Sequence, residues 1–401
     1  MAASVADQGV AALTNILVVV FVARQSTAAG FASFAVVYTV FAVLLGASTA
    51  YVGQALVLRR GPAPEVSRHC RSSAVFTLTA STCLGAVLAA GGLLIPGELA
   101  TGLGALGLVL PLVLTQDALR YAFSVLGLPH HALAADALRL AAVVPVLAAQ
   151  PYGTGPARMV LLWGLSALPA LLLGTLLLLR ATRGAGPLAV RSLVRRDHLG
   201  RRFVVEFGFG NAGTQLAIIG LGLFASPLAV GALRGATTLF GPMNVLFNAV
   251  TGFGPPLLNR LTDARRKARA AALAGTVLAA VAAVWATVLA LLPATAGRQL
   301  LGETWDSAAA LLPATGSQYA AMALGTCGLL TLRVLRPRTT LSLQIAFSLF
   351  SVACLLGGYA LGGVLGAAWG LCLGSATKAA ATWLRTRAIL REPDGIDDRA
   401  R

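Results

Sequence analysis

Charged side chains inside long apolar segments are the residues of this chain whose chemistry needs an explanation. One segment contains Gln116, Asp117 and Arg120, and the next contains Asp136 and Arg139. In each segment the carboxylate precedes the guanidinium by three residues, so that on a helix both lie on one face. A charge at the centre of a bilayer costs about 2.5–3.5 kcal/mol on insertion scales. We therefore expect these four charges either to form ion pairs between two adjacent helices or to face a cavity where an arginine meets an anion.

Three further basic residues lie in or at the end of an apolar segment. Arg234 has no acidic neighbour within two helical turns, Lys378 lies in the last segment, and Arg24 closes the first. Such a cation either faces a substrate cavity or extends its charge to the membrane surface. Amides in the same segments are able to line a sugar-binding cavity or to form hydrogen bonds between helices. The candidate substrate-binding residues are Arg24, Arg234, Lys378, Arg120, Arg139, Asn15, Gln116 and Gln318.

Two carboxylates stand at equivalent places, Asp7 near the start of the first apolar segment and Glu206 near the start of the seventh. The positive end of the helix dipole stabilises a carboxylate in the first turn, which is one interpretation of both residues. The alternative is a gate or a group that couples transport to protons or cations. Asp117 and Asp136 are the other candidates for that role.

Sequence motifs for enzymatic chemistry are missing. The chain contains no GxxxxGK[ST] or HExxH pattern, its four histidines lack metal-ligand spacing, and no two of its five cysteines form a CxxC pair. It also has no sizeable segment outside the apolar runs that could form an extramembrane catalytic domain. We therefore predict no catalytic residue, no metal site, no cofactor and no enzyme activity.

Composition indicates an integral membrane protein. Hydrophobic residues make up 57% of the 401 positions and charged residues only 11%, whereas a soluble domain is about 25% charged. The net charge of +17 would suggest nucleic acid as a partner, but the arginines lie in short loops between apolar runs. The positive-inside rule accounts for these arginines, because basic loops stay in the cytoplasm. We therefore expect no binding to nucleic acid.

The apolar runs predict an all-α membrane protein of about twelve transmembrane helices, since roughly 20 residues cross a bilayer. The predicted segments are 5–23, 30–52, 73–95, 103–127, 132–150, 159–179, 203–224, 229–251, 271–292, 308–331, 339–357 and 362–384. Of the 31 Arg and Lys residues, 24 lie on one side of this arrangement and three on the other. Both termini are therefore predicted to lie in the cytoplasm, with the protein in the inner membrane of a bacterium.

The two halves of the chain resemble each other at a spacing near 200 residues. Ile95-Pro96 matches Leu292-Pro293, Gln116 matches Gln318, and the triplet Trp-Gly-Leu at 163–165 recurs at 369–371. Six segments in each half make the repeat parallel and predict two six-helix lobes around a central cavity. The predicted domains are the lobe 1–185, a basic linker at 186–202 that is a candidate interfacial helix or a solvated connection, the lobe 203–385 and a polar cytoplasmic tail at 386–401. The spacing Gly358-x-x-x-Gly362 is typical of close helix packing.

Five short stretches resemble polysaccharide (O-antigen type) flippases of the multidrug/oligosaccharidyl-lipid/polysaccharide exporter superfamily. They are 6–10 (ADQGV), 13–15 (LTN), 21–24 (FVAR), 31–34 (FASF) and 256–260 (PLLNR). The chain departs from the family at Phe31-Ala32, where members usually have Phe-Gly. The resemblance implies that a lipid-linked oligosaccharide or polysaccharide precursor crosses the membrane by alternating access powered by an ion gradient. It also implies that cavity cations hold the lipid pyrophosphate. Arg24, Arg234 and Lys378 are the positions for that role, and of these three Arg24 alone lies on a family-like motif.

The partners that this resemblance implies are the lipid bilayer, the lipid-linked oligosaccharide and, as further candidates, polysaccharide-synthesis enzymes. Two alternatives within transport are a multidrug-type exporter and a major-facilitator transporter. The first would favour acidic unpaired charges, and the second would need a GxxxDRxGRR-like loop that is absent from 59–71. An alternative of another class is a membrane scaffold of a polysaccharide-synthesis complex that transports nothing.

Overall fold

The computed structural model describes residues 2–212, 227–301 and 305–391, and within these ranges it contains helices and no strands. The all-α prediction is confirmed. The chain forms two compact units, Met1–Val204 and Val205–Arg401. Seven helical segments of the described residues are long and apolar enough to cross a membrane, and Ala6–Val22 is a shorter apolar segment.

The N-terminal unit is built from seven helices in chain order, and the second continues beyond Ser48 through a π-helical turn, Thr49–Gly53, and the short helix Gln54–Val57. A π-helical turn widens the backbone locally and is frequent near functional sites. The seven helices are α1 (Ala2–Gln25), α2 (Ala28–Ser48), α3 (Ala63–Leu94), α4 (Glu98–Leu126), α5 (Pro129–Ala148), α6 (Pro156–Leu165) and α7 (Leu168–Ala181).

The C-terminal unit follows a similar order after the single helical turn Arg191–Val194. The described part of its first helix ends in a π-helical turn, Gly208–Ala212. Two helices without labels here, Ala294–Leu301 and Trp305–Ala309, precede the long helix Leu312–Leu335. The labelled helices are α8 (Gly200–Phe207), α9 (Pro227–Leu239), α10 (Gly241–Asn259), α11 (Ala264–Ala290), α12 (Leu312–Leu335) and α13 (Thr340–Arg391).

Helices α3 and α4 approach each other through glycines. A Cβ atom at Gly85 would overlap the carbonyl oxygen of Gly107, and one at Gly92 would overlap the backbone of Gly104. Small residues let two helix backbones approach within van der Waals contact, which is the main attraction available between helices in lipid. This contact fixes α4, the helix that carries Asp117 and Arg120, against its neighbour.

Helix α13 consists of two helical arms, in agreement with the two predicted segments 339–357 and 362–384. The arms meet at Gly362 and Gly363, whose backbone angles are not helical, and Gly363 has φ 58°. Positive φ is strained for residues with a Cβ atom, so the glycine there permits the bend. The predicted Gly358-x-x-x-Gly362 packing motif is wrong for its second member, because a Cβ at Gly362 would meet no atom within 4 Å.

The two arms of α13 run antiparallel and touch through small residues. Three pairs lie progressively further from the bend on both sides: Gly358 with Gly366, Cys354 with Gly370, and Ser351 with Gly374. The three partners on the second arm are four residues apart, so they share one helix face. The bend therefore folds α13 back on itself, and the glycine face holds the two arms together.

The C-terminal end of the linker, around Leu193 to Gly200, packs against the N-terminal unit. The Tyr51 hydroxyl donates a hydrogen bond to the carbonyl oxygen of Leu193 at 2.7 Å. The Tyr51 ring lies 5.0 Å from the ring of His198, and the His198 Nδ1 accepts a hydrogen bond from the backbone N–H of Gly200. Tyr51 comes from the π-helical turn Thr49–Gly53, so this turn positions the aromatic ring that holds the linker.

The docked linker is expected to loosen in acid because of His198. Burial, followed by the charge of Arg59, lowers the pKa of His198 to about 4, whereas a detached imidazole has a pKa of about 6.5. The detached form therefore binds more protons, and docking loses stability as the pH falls from about 6.5 to about 4. Hydrogen exchange of residues 189–201, corrected for the intrinsic rate, should accelerate over this window. A His198→Phe variant keeps the ring contact, and an unchanged acceleration in that variant would contradict the assignment.

Candidate functional site

Arg120 is the centre of a group of charges inside the N-terminal unit, which we name the acidic cluster: Asp7, Asp117, Arg120 and Asp136. The Arg120 Nε lies 3.2 Å from Asp7 Oδ2, and its Nη1 donates to Asp117 Oδ1 at 2.8 Å. Its Nη2 donates to Asp136 Oδ2. One guanidinium from α4 thus contacts carboxylates from three helices, α1, α4 and α5, and the predicted ion pairing between the fourth and fifth segments is present.

Asp7 is the member of the acidic cluster whose charge is least satisfied. Its side chain is fully buried, and neither Asp7 Oδ1 nor Asp7 Oδ2 has a hydrogen-bond partner, although Arg120 lies within ion-pair distance. The helix-dipole interpretation does not account for it, because α1 begins at Ala2 and has no acidic residue in its first turn. A buried acceptor without a donor costs about 1–3 kcal/mol. A proton or a small cation on Asp7 would remove that cost.

Asp136 makes its contacts with α4 and not with Arg139 on its own helix. Asp136 accepts hydrogen bonds from Arg120 and, at 2.6 Å, from Gln116 Nε2. Arg139 donates to Gln116 Oε1 and lies 5.9 Å from the ring of Trp163. Gln116 therefore bridges the two oppositely charged side chains of α5 and faces neither a lobe surface nor an open cavity, because it is 2% exposed.

The acidic cluster carries an excess of negative charge. Its three carboxylates carry three negative charges. Two guanidiniums balance them in part: Arg120 lies among the carboxylates, and Gln116 holds Arg139 nearby. One proton or one monovalent cation would make the whole group neutral. Among the described residues no group of three His, Cys, Asp or Glu side chains has the arrangement of a metal site.

Asn15 and Arg24 lie outside the acidic cluster. Asn15 is exposed on α1 and accepts a hydrogen bond from the Tyr38 hydroxyl at 3.1 Å. Arg24 is exposed in the last turn of α1. Both remain candidates for contact with a ligand at the surface of the unit, because neither is buried in its core.

Glu206 in the C-terminal unit is also held by a specific partner. Its Oε2 accepts a hydrogen bond from Arg333 Nη2 at 2.8 Å, and its Oε1 accepts one from the Thr340 hydroxyl. Helix α8 begins at Gly200 and has no acidic residue in its first turn, so the helix-dipole interpretation fails here as well. In each unit, therefore, a carboxylate of the first helix pairs with an arginine of a later helix, Arg120 of α4 or Arg333 of α12.

A cavity of about 450 Å³ lies inside the C-terminal unit, and we name it the C-terminal cavity. Side chains of α9, α10, α12 and α13 line it. Both arms of α13 contribute, so the bend of this helix is needed to form the cavity. Its polar lining includes Asn244, Gln318, Gln344, Ser351, Ser375 and Lys378.

Lys378 and Gln344 are two members of this lining with unmet bonding capacity. Lys378 has no hydrogen-bond or ion-pair partner in the described ranges, and the nearby carboxylate of Glu206 is already bound to Arg333. Gln344 is 7% exposed, and its Oε1 has no hydrogen-bond partner. A ligand or ordered water in the cavity would supply the missing partners.

Sequence reasoning found most of these residues but not their grouping. Lys378 and Gln318 share the C-terminal cavity, and Arg120, Asp117 and Asp136 share the acidic cluster. The backbone of Arg234 belongs to α9, but its side chain lies outside the described residues. The membership of Asp7 was missed; its signal was an acidic residue in an apolar helix with no basic residue nearby in sequence.

Comparison with known proteins gives a result at the level of structure alone. No protein-family model and no curated protein matches the chain. A mutant of the Vibrio cholerae MATE transporter VcmN superimposes with a TM-score of 0.76 and 14% identity, over 98% of this chain and 95% of its own. A Pyrococcus furiosus transporter of the MOP superfamily, described by the reverse polarity of its binding pocket, gives 0.65 and 14%, over 98% and 95%.

A third solved structure has a similar fold. An outward-facing multidrug resistance MATE family transporter of the MOP superfamily gives a TM-score of 0.65 and 14% identity, over 97% of this chain and 94% of its own. Near-complete coverage in both directions means that the whole chain, not one lobe, follows this architecture. The chain has the two-lobed, all-helical fold of the MATE transporters of the MOP superfamily.

Proposed function

We propose that this protein is an ion-coupled secondary transporter that works by alternating access and moves a lipid-linked oligosaccharide or polysaccharide precursor across a bacterial cytoplasmic membrane. The fold is that of transporters, which supports transport over the scaffold alternative. A major-facilitator transporter would have a different fold, so that alternative receives no support.

The observation that carries ion coupling is the state of Asp7. Asp7 is fully buried, has no hydrogen-bond donor and shares its one ion-pair partner, Arg120, with two other carboxylates, so a proton or a further cation on Asp7 would lower the cost of its burial. Loading and unloading of a proton or cation at Asp7 would change the charge of the acidic cluster by one unit. Since Arg120 joins α1 to α4 and α5 through this cluster, such a change alters the contacts among three helices of one lobe. Asp117 and Asp136 hold Arg120 in place in this scheme.

The substrate assignment has separate support. The flippase-like stretches in α1, α2 and α10 favour a lipid-linked oligosaccharide, and the unpaired Lys378 of the C-terminal cavity is basic. A cationic drug would be repelled by that charge. The multidrug alternative is supported by one of the structural neighbours, which is a multidrug resistance transporter, and the experiment below includes it.

The test is translocation by the purified protein in liposomes. A fluorescent lipid-linked oligosaccharide should become accessible to an external quencher in the presence of a pH or sodium gradient and more slowly without one. Asp7→Asn removes the titratable group with little change in shape, and we expect gradient-driven movement to fall by at least an order of magnitude while slow exchange without a gradient remains.

The matched control is Asp306→Asn, the same change at an exposed carboxylate paired with Arg298, and it should transport like the parent. Equal gradient dependence in Asp7→Asn and the parent would exclude Asp7 as the coupling group. Movement of a cationic dye but not of the oligosaccharide would favour the multidrug alternative. Movement of neither, by protein that remains folded, would leave the scaffold alternative.

A further inference from the structure

The C-terminal cavity has a charge that the described residues of its unit do not neutralise. Lys378 and Arg333 both line it, whereas Glu206 is the carboxylate that faces them and already forms an ion pair with Arg333. The other carboxylates described in this unit are occupied elsewhere: Asp263 caps α11, and Asp306 pairs with Arg298. The described part of the cavity therefore has a net positive charge.

The neutral lining of the cavity suits hydroxyl groups. Asn244, Gln318 and Gln344 each offer an amide donor and an amide acceptor, and Ser351 and Ser375 offer hydroxyls. Groups that both donate and accept hydrogen bonds match the hydroxyls of a sugar, whereas a simple inorganic anion would need donors alone. The unpartnered Oε1 of Gln344 adds an acceptor that the protein leaves without a donor.

We propose that the C-terminal cavity binds one sugar unit that carries an anionic oxygen group, with Lys378 as the residue that holds the anion. This inference deepens the proposed function, on which it rests for the idea that the sugar belongs to the transported molecule. The site lies within one lobe and is separate from the acidic cluster, so the lobes have complementary preferences, a cation in the first and an anion in the second.

The size of the cavity limits its occupant. A volume of about 450 Å³ lies toward the lower end of the range of about 300–1,000 Å³ that is usual for sites of small molecules. This is enough for a monosaccharide with a phosphate or carboxylate group and too little for a whole oligosaccharide. Only one unit of the substrate is recognised here, and the remainder has to lie outside the cavity.

Two sources can supply the anion, a phosphate attached to the first sugar or the carboxylate of an acidic sugar. The experiment measures binding of glucose 1-phosphate, glucuronate and neutral glucose to the purified full-length protein by calorimetry. We expect at least one of the two anions to bind clearly more tightly than glucose, and the better of the two identifies the source.

The decisive variant is Lys378→Gln, which keeps a polar side chain and removes the charge. Loss of one charge-assisted hydrogen bond should weaken anion binding roughly ten- to hundredfold, and glucose binding should not change. Lys378→Arg should retain the anion. The matched control is Lys267→Gln at the chain's other lysine, which lies near the start of α11 and does not line the cavity.

Three results would overturn the proposal: neither anion binds better than glucose, Lys378→Gln binds the anion like the parent, or Lys267→Gln loses binding equally. The failure of the proposed function is separable. Anion binding that depends on Lys378 in a protein that moves no oligosaccharide would retain the cavity assignment and reject the transport assignment. Movement of oligosaccharide that does not depend on Lys378 would retain the transport assignment and reject the cavity assignment.

Discussion

Replacement of Arg120 with methionine is expected to lower the free energy of unfolding by about 3–5 kcal/mol, the usual cost when one partner of a buried ion pair is removed. Arg120 contacts Asp7, Asp117 and Asp136 within the N-terminal unit. Without the guanidinium, three carboxylates share a site with little water. They either repel each other or take up protons, and both outcomes cost stability at neutral pH. Denaturant or thermal unfolding of the purified protein in detergent measures the change.

A matched control for this experiment is Arg298→Met. The guanidinium of Arg298 also forms an ion pair at 3.0 Å, with Asp306, but both side chains are more than half exposed. Exposed pairs contribute about 0–1 kcal/mol, so the control should unfold nearly like the parent. A combined variant, Arg120→Met with Asp117→Asn and Asp136→Asn, should recover part of the loss. Equal destabilisation by both single arginine variants would show that the acidic cluster has no special role.

Replacement of Gly366 with alanine is expected to destabilise the protein by about 1–3 kcal/mol, the usual cost of added volume in a packed contact. The new Cβ would overlap the carbonyl oxygen of Gly358 on the opposite arm of α13. Because that atom belongs to the backbone, no side chain can move aside, and the two arms must separate. Both arms line the C-terminal cavity, so ligand binding there should weaken as well.

The same substitution at Gly357 provides the control. Gly357 lies in the same helix, and a Cβ there would meet no atom within 4 Å. Alanine is a better helix former than glycine by about 1 kcal/mol, so this variant should be as stable as the parent or slightly more stable. Unfolding in denaturant compares the two. If Gly366→Ala were also neutral, the close approach of the two arms would be disproved.

Local sequence features were sufficient to predict helices in the part of the chain that the structure describes, and also the residues that need partners. An apolar run of about 20 residues forms a helix in a bilayer, because each backbone N–H and C=O group there must find a hydrogen-bond partner within the protein. The charges of α4 and α5 were conspicuous for the same reason: in lipid a charge without a purpose or a partner is costly. Pairing of Asp117 with Arg120 also followed from their spacing on one helix face.

The errors arose where the outcome depends on distant contacts. The helix-dipole interpretation of two carboxylates failed, because Asp7 lies beside Arg120 and Glu206 beside Arg333, each on a distant helix. The bend of α13 depends on glycines that look the same in sequence as packing glycines; Gly358 meets the opposite arm, and Gly362 meets nothing.

The sequence by itself determined the class of protein, the helical segments and the short list of polar residues that could serve transport, since each of these depends on composition or on spacing along one helix. Only the tertiary structure decided that Asp7 joins Arg120 across more than 100 positions and that Lys378 shares a cavity with Gln318 and Gln344. The physical reason is that a buried charge must find its partner in space, and helix packing, which no local pattern encodes, sets that distance.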